Sequence, residues 1–139
     1  MSGPFICTPD YWSKIMNTRT SGEVRGYVNY AVPDIVVESP GGNFKGKEEL
    51  AKGLDEFFTR MSWPFLETKN FEATPGKVEA DLQLEMLAVN DWFEPIMNQD
   101  IKKGDRFSVT EHHAVTFNEQ GLATHWKSTL TAPPTKISA

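Results

Sequence analysis

The sequence predicts an α+β fold, with helices gathered toward the N-terminal end and an antiparallel sheet after them. Three observations predict it. From Thr8 to Met61 apolar residues recur mainly at helical spacing. From Phe65 onward the period changes to two, with Val78, Ala80, Leu82, Leu84, Met86 and Ala88 alternating with Glu79, Asp81, Gln83 and Glu85. The turn sequences Thr74-Pro75-Gly76 and Asn118-Glu119-Gln120-Gly121 separate runs that pair as hairpins. A chain of 139 residues, 39% apolar and 12% aromatic, fills one substantial core, so residues 1–139 read as a single domain, folded over about residues 8–131.

Thr8-Pro9-Asp10 opens the first helix: a hydroxyl to cap, proline at the first helical position, and an acid where the helix dipole favours it. That helix runs to about Arg19, with Tyr11, Trp12, Ile15 and Met16 on one side. Ser21 caps a short second helix from Glu23 to about Ala31, with Val24, Tyr27, Val28 and Ala31 inward, and Pro33 ends it. Ile35 to Ser39 reads as a strand closed by the turn Pro40-Gly41-Gly42. Lys47 to about Met61 is the strongest helix: Leu50, Leu54, Phe57, Phe58 and Met61 keep the period, and Glu48, Glu49, Lys52, Asp55 and Glu56 form a solvated face. The remaining strands fall near Phe65 to Thr74, Lys77 to Asn90, Arg106 to Asn118 and Leu122 to Thr131. Residues 90–104 are too irregular to assign: a strand extension, a loop over a pocket and a dimer contact all remain open. The small, Pro-rich tail after Thr131 reads as frayed.

A net charge of -5, with neither a basic run nor an aromatic-basic stripe, argues against nucleic-acid or anionic-membrane partners. Cys7 is the only cysteine, which excludes an intrachain disulfide and a thiolate zinc cluster. The start lacks a basic region leading into a long apolar run, and no segment has membrane-spanning length. A soluble cytoplasmic protein is the expectation. No phosphate loop or dinucleotide fingerprint is present, so no cofactor is expected.

The most informative stretch is Arg106 to Phe117. Its apolar face, Phe107, Val109, Val115 and Phe117, is interrupted by Glu111 and His113, which share that face about 7 Å apart. A carboxylate and an imidazole turned toward apolar surface are costly unless paired, hydrated or used. They point to a pocket holding a proton-transfer pair, each group addressing a different substrate atom; satisfaction at a wet sheet face is the alternative. His112 points to the opposite face.

Three strings carry a resemblance. Tyr30-Ala31-Val32-Pro33-Asp34-Ile35-Val36-Val37-Glu38-Ser39-Pro40-Gly41-Gly42, Phe44-Lys45-Gly46-Lys47-Glu48-Glu49-Leu50, and Val115-Thr116-Phe117-Asn118-Glu119-Gln120-Gly121-Leu122-Ala123-Thr124-His125-Trp126 resemble, in that order, the "YA-DD-V-ED-P-G", "F-x-G-[KR]-E-x-[IL]" and "F-x-F-x-x-G-x-I-x-E-H-W" patterns of SnoaL-like and ketosteroid isomerase-like proteins of the nuclear transport factor two-like superfamily. The resemblance implies a cone-shaped fold, a curved sheet wrapped around N-terminal helices and enclosing a pocket. Function varies widely on this fold. The catalytic aspartate of ketosteroid isomerases falls on Ser39, their neutral-acid donor on His113, and their first-helix tyrosine near Ile15; the base of SnoaL-like cyclases falls near Leu130. An ordinary steroid isomerase is thereby disfavoured.

Facing in the last hairpin decides the third candidate. If Gly121 supplies a left-handed bulge, Asn118 faces Leu122 and Val115 faces His125, which brings His125 to the face of Glu111 and His113 and turns Lys127 inward. A one-residue slip would instead bury Trp126, with Leu122 and Leu130, and expel His125. The expected catalytic set is His113, Glu111 and His125; Ser39, Phe107, Val109, Tyr27, Trp63 and Lys127 complete the substrate-binding set. A Glu111, His113 and His125 metal triad is conceivable, but the resembled enzymes generally do without metal. The expected function is a cofactor-independent isomerase or cyclase using acid-base proton transfer on a hydrophobic polyketide- or terpenoid-type molecule of secondary metabolism. A dehydratase or hydrolase with the same pocket, and a non-catalytic ligand-binding or dimerisation module, are the alternatives. A symmetric homodimer through the sheet face opposite the pocket is expected, with Trp126 or its neighbours seeking cover there.

Overall fold

The computed structural model describes residues 5–21, 28–40, 42–94 and 98–138. Helix α1 spans Pro9–Ser21, with the Tyr11 amide donating to the Thr8 hydroxyl at 3.1 Å, the cap that the sequence predicts. Trp12, Ile15, Met16 and Arg19 form its buried stripe, at the i, i+3, i+4, i+7 spacing of an inward face. The expected second helix falls largely on residues 22–27, outside the described residues, and Tyr27 lies there with it.

Strand β1 is Ala31–Ser39 and turns back into β2, Gly42–Lys45. The strand therefore begins four residues before Ile35, because Ala31 pairs with the last long strand instead of closing a helix. Helix α2, Lys47–Phe58, ends before Met61, which opens β3, Met61–Thr74. Then follow β4 (Lys77–Ala88), β5 (Trp92–Glu94), β6 (Gln99–Ile101), β7 (Arg106–Phe117), β8 (Ala123–Leu130) and β9 (Thr135–Ser138). The unassigned stretch of residues 90–104 contains the β5–β6 ladder. The tail expected to fray supplies β9, paired with β7 from Arg106 to Ser108.

The main sheet runs β2-β1-β8-β7-β4-β3, an open and mostly antiparallel surface. The exception to an all-antiparallel sheet is β1 with β8, which run parallel. Both β4 and β7 alternate inward apolar with outward polar residues, as their period of two requires. Helix α1 lies on the inner face, where Trp12 stacks on Trp126 with ring centroids 5.5 Å apart. Helix α2 packs over β1, β2 and β3. Leu50 is its one buried residue; Leu54 and Phe57, which the period suggests as core, are half-buried and face a cavity. No helix among the described residues is long and apolar enough to cross a membrane.

Candidate functional site

The two helices and the inner sheet face enclose a cavity of about 640 Å³. The apolar side of α2 contributes Leu50, Leu54 and Phe57; β3 contributes Trp63, β5 Trp92, and β7 Phe107, Glu111 and His113. Ser39 lines it from the end of β1, its hydroxyl donating to the Gly42 carbonyl at 2.5 Å. Val109 is buried in the core and is not among the lining residues.

Glu111 and His113 come together more closely than their separation along one strand face suggests. His113 Nε2 and Glu111 Oε1 are 2.8 Å apart, inside the protein. The room for this comes from the neighbours: His113 sits between Ala80 on β4 and Ser128 on β8, both small. Trp126, two residues from Ser128 and so diagonal to His113, donates its indole N–H to His113 Nδ1 at 2.8 Å. With Nδ1 accepting, the neutral ring carries its proton on Nε2 and donates it to Glu111. Both ring nitrogens are thus occupied by protein partners, and the two groups form one unit instead of addressing separate substrate atoms.

Arg19 completes the cluster, with its guanidinium 4.0 Å from Glu111 Oε1 and lying over the Trp63 ring, 4.2 Å from the centroid. Both charged side chains are more than nine-tenths buried. Burial by itself would raise the Glu111 pKa, but the hydrogen bond from His113 and the Arg19 charge outweigh it and hold the carboxyl below its usual range. Burial pushes the His113 imidazole down, and the nearby Arg19 charge adds to that against the opposing pull of Glu111. The resulting state is an ionised carboxylate, a neutral imidazole and a guanidinium in an aromatic-walled cavity.

Arg19 was not among the residues the sequence singles out. Its signal was nevertheless there, because it closes the inward stripe of α1 just as Glu111 and His113 interrupt that of β7.

His125 and Lys127 do not join the site. The hairpin closes as expected at Asn118 and Leu122, with Gly121 at φ 81°. Phe117 then pairs with Ala123, but Thr116 pairs with His125, so Thr124 is an extra residue on β8. This bulge moves every later residue to the other face. Trp126 turns inward, 3% exposed, while His125 and Lys127 are exposed, with His125 Nε2 2.7 Å from Glu38 Oε2. The conceivable Glu111, His113 and His125 metal triad is therefore not assembled. No group of three His, Cys, Asp or Glu among the described residues is placed to hold a metal ion. Trp126 is likewise withdrawn from the outer face, where it was expected to seek a dimer partner.

No known family pattern matches the sequence, and no curated protein matches it. Solved structures do. The epoxide hydrolase/cyclase-like enzyme SalBIII, of pyran ring formation in the polyether salinomycin, is similar with TM-score 0.70 at 13% identity, over 91% of this chain and 92% of that one. An LEH-like epoxide hydrolase of M. tuberculosis gives 0.66 at 12%, over 86% and 78%. A protein of ketosteroid isomerase-like fold from Catenulispora acidiphila gives 0.68 at 8%, over 88% and 86%. At such identities the likeness speaks to the fold alone: the chain shares with these structures a cone-shaped α+β fold, here an open, mostly antiparallel sheet with helices on its inner face.

Proposed function

We propose that this protein is a cofactor-independent enzyme of isomerase or cyclase type, acting by proton transfer on a hydrophobic, oxygenated small molecule of polyketide or terpenoid kind, with Glu111 as the base. The observation that carries this reading is the buried, ionised Glu111 carboxylate, fixed by His113 and set beside the Arg19 guanidinium in an apolar cavity. Such a carboxylate removes a proton from carbon next to a carbonyl, and the electron pair of that C–H bond moves onto the carbonyl oxygen. As negative charge leaves Glu111 for that oxygen, Arg19 stabilises it in either place, so the barrier falls without the charge ever being unpaired. Returning the proton to a different carbon isomerises the substrate. Attack of the enolate carbon on a second carbonyl of the same molecule closes a ring, and the new alkoxide takes the proton back from Glu111.

His113 acts in this reading as a positioning residue, since its nitrogens serve Glu111 and Trp126. A homodimer through the outer sheet face belongs to the same proposal. Its support is Phe65, 39% exposed and paired with Glu85 on that face. Cytoplasmic residence belongs to the same proposal: with Cys7 the only cysteine, the chain carries no intrachain disulfide of the kind an oxidising compartment favours.

The experiment is exchange of the α-hydrogens of 2-tetralone for deuterium in D2O, followed by proton NMR. Exchange above the buffer rate, lowered roughly a hundredfold or more by Glu111→Gln, supports the assignment. Exchange no faster than buffer, or unaffected by that substitution in folded protein, removes it and leaves a ligand-binding module.

A further inference from the structure

His113 and its strand neighbour His112 meet opposite surroundings. On the outer face His112 has a carboxylate at each ring nitrogen, Asp81 at 2.8 Å and Glu79 at 3.3 Å, so both nitrogens face acceptors. Inside, His113 has one carboxylate, Glu111 at Nε2, and an indole N–H at Nδ1. An imidazolium carries a proton on each nitrogen, and an indole nitrogen donates without being able to accept. The outer arrangement therefore suits a charged ring, whereas inside a proton on Nδ1 would meet a second donor with both groups buried. A serine or tyrosine hydroxyl at that point could turn round and accept; tryptophan cannot.

The indole is also fixed. Trp126 stacks on Trp12 with the ring planes 18° apart, and the Trp12 N–H donates in turn to the Thr68 hydroxyl at 3.0 Å. The rings of Trp126 and His113 stand at 90° to each other. Among the described residues the charged groups facing His113 are Glu111 on its own strand and Arg19 from α1; the flanking strands β4 and β8 set the uncharged Ala80 and Ser128 beside it. Glu111 draws a second proton toward the ring, and the indole donor stands against that pull on the far side.

We infer that Trp126 is a positioning residue: its N–H holds His113 as a neutral ring donating to Glu111, and so keeps that carboxylate a stronger base than it would be beside an imidazolium. An imidazolium would put a full positive charge 2.8 Å from Oε1 and make the carboxylate slower to take a proton from substrate. This deepens the proposed function and rests on it for the role of Glu111; the hold on His113 stands on the geometry alone.

The test replaces the Trp126 indole of the full chain by benzothiophene, carried on β-(benzothien-3-yl)alanine, which keeps both fused rings and puts sulfur where the N–H stands; Trp126→Phe is the companion variant. Nitrogen NMR of labelled histidine rings reads charge and tautomer, with His113→Gln assigning the signals. In the unaltered protein His113 should stay neutral, with its proton on Nε2, down to about pH 5. Without the indole donor its titration should rise by about one pH unit or more, a tenfold gain in proton affinity, while those of His112 and His125 on the outer face stay in place. The acid limb of 2-tetralone exchange should move upward with it. A proton on Nδ1 in the unaltered protein, a His113 titration that the loss of the donor leaves where it was, or an acid limb that stays while the titration moves overturns the inference. If neither variant folds, imidazolium signals from His113 in the folded, unaltered protein above about pH 5 overturn it, and a through-bond coupling between Trp126 Nε1 and His113 Nδ1 with the ring neutral supports it. Absence of any exchange by the unaltered protein is instead the failure of the proposed function, and the ring signals then decide the hold on His113 by themselves.

Discussion

Replacing Glu111 by Gln keeps the shape of the side chain and removes its charge, so it separates proton transfer from packing. Because His113 and Arg19 hold the carboxyl below the ordinary 4.5 against its burial, the acid limb of the pH–rate profile should lie below pH 4.5 in the unaltered protein. His113→Leu deletes the donor to Glu111 and should move that limb upward, a change that a simple loss of stability would not produce. Outside the cone, His125→Ala and Lys127→Ala should alter turnover less than about twofold, since both side chains are exposed on the outer face. Were His125→Ala to match Glu111→Gln in effect, the facing of β8 would be wrong. At this scale the sequence displayed Glu111, His113 and Arg19 through one signal, a polar group in an apolar stripe. It could not show that both nitrogens of His113 are spoken for, because that depends on which residue of β8 comes alongside.

That register is a property of elements, and one residue sets it. Asn118, Leu122 and Gly121 were legible because loop chemistry is local: the Asn118 carboxamide accepts from the amides of Gln120 and Leu122. The sequence left the one-residue slip at Thr124 open as an alternative but could not choose it, since the bulge is stabilised by what it buries, the Trp126 ring against Trp12. The boundaries of α2 were misjudged for a related reason. Met61 continues the helical period yet starts a strand, because β4 offers it a ladder partner at Ala88. Phe57 belongs to this scale too: half-buried against Trp63, it should cost about 1 to 3 kcal/mol when replaced by Ala, short of the ~3 to 5 for a fully buried ring. A chemical denaturation midpoint unchanged by Phe57→Ala would show that the α2 face does not hold the cavity wall.

Over the whole molecule, two histidines impose opposite pH dependences on stability. His113 has its folded pKa lowered by burial, so its contribution is complete above the unfolded 6.5 and is lost as pH falls through the lowered value. His112, on the outer face, has its pKa raised by hydrogen bonds to Asp81 and then Glu79; its contribution is complete below 6.5 and is lost as pH rises through the raised value. Thermal melting of His112→Gln should therefore show less decline on the alkaline side than the unaltered protein, and the same decline on the acid side. Melting curves that respond to His112→Gln only below pH 6 would contradict these assignments. The order of helices and strands was readable along the chain, as was a sheet with one dry face. The parallel contact of β1 with β8 was not, since no local pattern records which distant strand an edge will meet.

That contact sets a timetable. Ala31 finds Ala123, and Val36 finds His125, about ninety residues further along, whereas β3–β4 and β7–β8 join across short turns. Long loops close late because their entropy must be spent before the contact returns anything. On a ribosome the edge of β1 that faces β8 must wait unpaired until β8 has left the exit tunnel. Pulse-labelled hydrogen exchange during refolding should accordingly find the amides of β3, β4 and β7 protected before those of β1. The cavity, which needs β1 and β8 side by side, would then be among the last features of the molecule to come into existence.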